Sequence, residues 1–195
     1  MNILGIYGSP RKGGNSDQLL DLVLDGAGEA GANLDRVYAR QLDLSGCREC
    51  GGCEKTGTCV IQDDMQEVYD RLDWADAIVI GTPVFFYGAP AQLKALIDRG
   101  QAMWSRRMLR KSPAQRKTYD SGAGYVVGVG ATKGPNLFEG VKLTAKYFFD
   151  ALDMTFEDGL YFRGLEGPEA VASNPEIHRQ AREFGRKVAA GPALD

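Results

Sequence analysis

"MNILGIYGSPRKGGNSDQLL", residues 1–20, carries the reading of the whole chain. Residues 2–7 form a short apolar run with β-branched content, which fits a strand buried on both faces. The run then breaks into Gly8, Ser9, Pro10, Arg11, Lys12, Gly13, Gly14, Asn15 and Ser16, a stretch rich in hydroxyls, cations and glycine. From residue 16 to 30 the apolar positions Leu19, Leu20, Val23, Leu24 and Ala27 recur at helical spacing, with Asn15 or Ser16 available as N-cap and Gly31 as a stop. A strand that feeds a polar loop into a helix N-terminus aims free N–H groups at one point, and such a point binds anions.

The same grammar repeats outward from there. Strands are expected at 34–39, 77–81, 124–130 and 154–161. Helices are expected from Asp63 to 75, over 90–103 with Pro90 at its first position, over 137–153 and over 175–189. Five strands alternating with helices predict an α/β fold, a doubly wound parallel sheet with helices on both faces. Ligands of such sheets sit at the carboxyl ends of the strands. Loops 8–16, 82–88 and 130–134 leave those ends and are expected to converge on one pocket.

Composition narrows the function. The chain of 195 residues is read as one domain, 1–195, with a formal net charge of -3 that gives no support for a nucleic-acid or membrane-surface role. No apolar run approaches the ~20 residues that cross a bilayer, and the start lacks the form of a signal peptide, so a cytoplasmic location is expected. The single histidine, His178, lies among Glu176, Arg179 and Arg182 on the last helix and reads as part of a solvated face. Residues 106–117 hold six cations and no acid, and read as a mobile surface loop or a contact for an anionic cofactor or partner.

The anion loop matches neither common nucleotide motif. Gly8 and Gly13 have the separation of a P-loop, but Gly14-Asn15 stands where Lys-Ser is required. The glycines do not follow the dinucleotide pattern either. A terminal monophosphate fits the loop, with Ser9, Asn15 and Ser16 as donors and Arg11 as charge. The competing reading is a glycine-rich turn with solvated cations.

With "GTPVFFYGAPAQLKALIDR" at 81–99, the loop resembles flavodoxin-fold NAD(P)H-dependent FMN reductases, and the likeness extends through "GPEAV" and "AREFGRKVA". The resemblance implies a sheet of order 2-1-3-4-5 and bound FMN. It implies phosphate contacts from Ser9, Arg11, Lys12, Gly14, Asn15 and Ser16. The flavin ring would lie against Thr82, Pro83, Val84, Phe85 and Phe86, with Gly130, Ala131, Thr132 and Gly134 at its other edge. A flat, largely apolar ring needs such walls. NAD(P)H is the implied co-substrate, with ferredoxin or a quinone as redox partner. No catalytic side chain is named, because the flavin supplies the chemistry. Phe85, Phe86, Tyr87 and Trp104 would leave a large apolar patch on a monomer, so a homodimer or tetramer is expected.

The four cysteines fall in one stretch, "CRECGGCEKTGTC", giving C-x2-C-x2-C-x5-C from Cys47 through Cys50 and Cys53 to Cys59. Clustering of this kind suits a metal group rather than disulfides. A [4Fe–4S] cluster, an all-cysteine zinc site and free thiols are the readings, and the consecutive short spacings are an iron–sulfur habit. The spacing resembles the iron–sulfur flavoprotein branch of the family, which would place a cluster beside the flavin.

Overall fold

The computed structural model describes residues 1–191; the last four residues of the expected domain 1–195 lie outside the described residues. Its strands are β1 (Asn2–Tyr7), β2 (Asn33–Tyr38), β3 (Ala77–Pro83), β4 (Ala123–Gly130) and β5 (Thr155–Arg163). They pair in parallel in the order β2-β1-β3-β4-β5, as expected. Winding therefore reverses between β1 and β3, and a crevice opens above that pair.

Alternation along the strands divides the core in two. Ile3, Tyr7, Ala77, Val79, Tyr125 and Val127 face α1 (Asn15–Glu29) and α6 (Pro175–Ala190). Leu4, Ile6, Ile78, Ile80 and Val126 face α2 (Met65–Trp74), α3 (Ala91–Arg99), α4 (Gln101–Arg110) and α5 (Glu139–Ala151). Each fully buried aliphatic side chain contributes about 1.5–3 kcal/mol of transfer free energy, so both layers are needed. Contact between α1 and α6 depends on missing side chains. A Cβ on Gly26 would lie 2.2 Å from the Arg182 carbonyl, and one on Gly185 would lie 1.9 Å from the Val23 carbonyl.

Three expectations are corrected. The helix expected over 90–103 is two helices, interrupted at Gly100, where Phe148 of α5 packs so close that a Cβ would come within 3.1 Å. The second of them continues to Arg110, into the stretch read as a mobile loop. Gly14 stands at the N-cap position of α1 in place of Asn15 or Ser16, and with no side chain to accept a hydrogen bond it leaves the helix start uncapped.

Candidate functional site

The three expected loops meet. Ser9, Arg11, Gly14, Asn15 and Ser16 line a cavity of about 320 Å³ together with Pro83, Val84, Phe85, Gly130 and Ala131. That size suits a small molecule or cofactor. One end is the uncapped start of α1, where first-turn N–H groups have no intrahelical partner. Val84, Phe85, Val129 and Leu165 make the rest apolar. Pro10, Val129 and Leu165 were not among the expected site residues. Leu165 is carried in by the loop after β5, where its N–H bonds the Gly130 carbonyl at 3.1 Å. Nothing in the sequence around Leu165 marks that return.

Five expected residues lie off the cavity wall. Lys12 and Thr132 are exposed, and Gly134 sits under the Tyr87 hydroxyl. Thr82 is fully buried, its hydroxyl turned onto the Pro83 carbonyl at 2.9 Å. Phe86 is fully exposed at the tip of a turn closed by two bonds between Phe85 and Gly88, at 3.0 and 2.9 Å. Phe86 and Tyr87 have φ of 49° and 62°, the left-handed region that bulky residues avoid. Such strain marks functional segments.

Asn15 is placed at the cavity, but its side chain is already engaged. Its Nδ2 donates to the Gly167 carbonyl at 2.7 Å and its Oδ1 accepts from the Val171 N–H at 3.2 Å. It ties down the loop before α6 with its carbonyl oxygen and one of its two amide hydrogens. The anion loop itself is held from below by a residue the sequence did not flag. Arg40 follows β2, donates to the Ser9 carbonyl at 3.2 Å and pairs with Asp17 at 3.0 Å. Asp17 in turn accepts from the Gly13 N–H at 3.0 Å. One buried pair therefore grips both arms of the loop. Burial pushes the Asp17 carboxyl up, against the Gly13 N–H and Arg40, which pull it down.

None of the four cysteines forms a disulfide, and all four line a second, smaller pocket of about 40 Å³. They surround it without meeting at a point: among the described residues no three His, Cys, Asp or Glu converge as ligands of one metal ion. Donors already reach two of the sulfurs. The Glu49 N–H lies 3.4 Å from Cys47 Sγ, and the Ser105 hydroxyl lies 3.4 Å from Cys53 Sγ. The cysteine loop shares no lining residue with the first cavity. Its chain runs along α3, with Gly46 against Ala95, and the pocket is walled by Arg99, Gln101 and Ala102. Pro83 to Phe85 precede α3, whereas Arg99 ends it. Nine residues of helix, at ~1.5 Å each, lie between the two sites.

The cationic stretch and His178 also differ from expectation. Arg106 pairs bidentately with Asp73, Arg107 is buried against Asp150 and Asp153, and Lys111 pairs with Asp120 and Asp153. These cations fasten α4 to α2 and α5. The His178 ring contacts the Val171 carbonyl at 3.0 Å, anchoring α6 to the loop that Asn15 also holds.

Similar proteins point the same way as the cavity. An iron–sulfur flavoprotein of Methanosarcina thermophila is 43% identical over 99 residues, 51% of this chain and 52% of that protein. Another, from Methanocaldococcus jannaschii, is 34% identical over 134 residues, 68% of this chain and 63% of that protein. The chain spans about half the length of the first curated relatives it matches. A Bacillus subtilis protein whose name proposes an NAD(P)H-dependent FMN-containing oxidoreductase is 24% identical over 192 residues, 97% of this chain and 99% of that one. In fold, the chain is similar to a flavone reductase (TM-score 0.70, 20% identity, 97% of this chain and 62% of that one). It is also similar to an archaeal flavodoxin (TM-score 0.54, 14% identity, 97% of each chain). No helix among the described residues is long and apolar enough to cross a membrane. Residues 1–154 match the family described as NADPH-dependent FMN reductase, and the chain belongs to that family.

Proposed function

We propose that this chain is an FMN-dependent oxidoreductase whose cysteine loop holds a [4Fe–4S] cluster. The observation that carries the flavin half is the meeting of an uncapped helix N-terminus with apolar walls in one cleft. Arg11 and Ser16 would hold the phosphate there, Val84 and Phe85 would cover the ring, and Leu165 would keep water from its far edge. Bound FMN supplies the redox chemistry, and the protein's part is to position and shield it.

The cluster half is supported by relatives named iron–sulfur flavoproteins and by the pocket itself. Four sulfurs arranged around a volume suit an iron–sulfide cube, whereas a single zinc ion needs its ligands converging at ~2.3 Å. A second reading, reduction of a quinone or similar acceptor by NAD(P)H without a cluster, is favoured by the family description and by the exposed turn at Phe86. The exposed aromatics Phe85, Phe86, Tyr87, Trp104 and Tyr147 support a homodimer, to be checked by sedimentation.

An absorption spectrum with iron and sulfide analysis, on protein isolated without oxygen, tests both halves. Flavin bands with broad cluster absorbance and about four irons per chain are the expected result. Flavin without iron leaves the second reading, and protein that retains no flavin overturns both.

A further inference from the structure

The thiol pocket has one buried cation among its walls. Arg99, the last residue of α3, is 1% exposed. One of its terminal nitrogens donates to the Ser45 carbonyl at 2.9 Å and to Asp63 at 2.6 Å. The other donates to Asp63 at 3.0 Å and reaches the Ile61 carbonyl at 3.4 Å. Ser45 stands just before Cys47 and Ile61 just after Cys59, so a single guanidinium draws the two ends of the cysteine loop together. Its own backbone carbonyl is fixed by the Tyr69 hydroxyl at 2.8 Å. One donor is left over: Arg99 Nε is buried and has no hydrogen-bond partner among the described residues. A buried N–H without an acceptor is costly, and Arg99 lines the thiol pocket, so a group bound in that pocket is a candidate for the missing acceptor.

We infer that Arg99 positions the group bound by Cys47, Cys50, Cys53 and Cys59, donating Nε–H to one of its sulfurs and setting the potential at which it takes an electron. The inference rests on the cluster reading given above. Four thiolates concentrate negative charge, and a one-electron reduction adds one more. A fixed cation and an N–H···S bond both favour the reduced state, and net charge and hydrogen bonding are the levers that set iron–sulfur potentials. Asp63 opposes this by neutralising part of the arginine's charge. Opposite effects from the two partners of one ion pair separate this role from simple loop closure, which needs both partners equally.

The test is an equilibrium redox titration of anaerobically purified protein, with dithionite as the one-electron reductant, followed by cluster absorbance. In R99Q the ratio of reduced to oxidised cluster at a fixed solution potential is expected to fall at least tenfold, a shift of ~59 mV to more negative values. R99K, which keeps the charge but removes the Nε–H, is expected to lie between R99Q and the parent, and D63N is expected to raise the ratio. R99Q holding about four irons at the parent potential overturns the inference. So does D63N that is fully loaded and unshifted, or shifted down, and this arm decides the matter if R99Q fails to fold. Parent protein with flavin and no iron is a different result: it removes the cluster reading itself, before any substitution is made.

Discussion

Two glycine-punctuated stretches follow the carboxyl ends of β1 and β2, and each is fastened by a buried arginine–aspartate pair. Under the anion loop, Arg40 is spent inside the scaffold: it holds the Ser9 carbonyl and Asp17, and its guanidinium lies over the Tyr38 ring at 4.9 Å. At the cysteine loop, Arg99 holds the loop ends but also forms part of the pocket wall. The difference follows from where the negative charge comes from. In the proposed function a phosphate arrives with its charge and would be met by exposed Arg11 and by backbone N–H groups. Four thiols belong to the chain, so a counter-charge for them has to be built into the fold.

The comparison breaks most sharply at the cysteines. Replacing Cys50 with Ser is expected to abolish iron binding and to leave flavin bound, because the two pockets share no lining residue; metal analysis and flavin absorbance read the two outcomes separately. Loss of both would mean that the sites are not independent. Next in size is Arg40→Ala, which leaves Asp17 buried without its cation. Removing one partner of a buried pair costs about 3 kcal/mol, to be read from denaturant unfolding. The double change to R40A/D17N should recover part of that loss, since the stranded charge goes with it.

A smaller effect is expected for Arg11→Ala with Ser16→Ala. These residues act on the ligand rather than the scaffold, so unfolding should change little while FMN affinity falls at least roughly tenfold, ~1.4 kcal/mol. Unchanged affinity in a flavin titration would place the phosphate elsewhere. The smallest effect is on the acid limb of stability. Hydrogen bonding to Arg99 holds the Asp63 carboxyl below its ordinary value of 3.8. Its contribution is therefore complete above that value and is lost as the pH falls through the depressed one. Acid unfolding of D63N should lack this component, and a curve identical to the parent's would show that the ion pair adds nothing.

The fold was legible because doubly buried strands such as Ile78–Ile80 are continuous apolar runs, and because each is followed by a helix with one apolar face. The meeting of three loops followed from topology alone. What stayed hidden depended on partners far along the chain. Arg106, Arg107 and Lys111 read as a free basic run because Asp73, Asp150 and Asp153, which pair with them, lie 33 residues or more away. The tie from Asn15 to the loop before α6 left no local mark, because its partner comes 152 residues later. Arg40 and Arg99 carried no motif at all. Their roles come from burial next to a loop, and burial is a property of the packed chain. The strained turn at Phe86 and Tyr87 was hidden for another reason, since two aromatics are poor sequence signals for positive φ.

The close meeting of α1 and α6 has a consequence for how this chain could be recombined. The part matched to its family ends at residue 154, yet Gly185 must sit against the Val23 carbonyl, and Asn15 and Gln18 reach the carbonyls of Gly167 and Pro168. The recognisable segment is thus smaller than the heritable unit. A chimera that joined residues 1–154 to another protein's tail would inherit half of a fitted helix pair. It would fold only if the incoming helix also carried a glycine at the crossing, so the first helix and the last must be exchanged together.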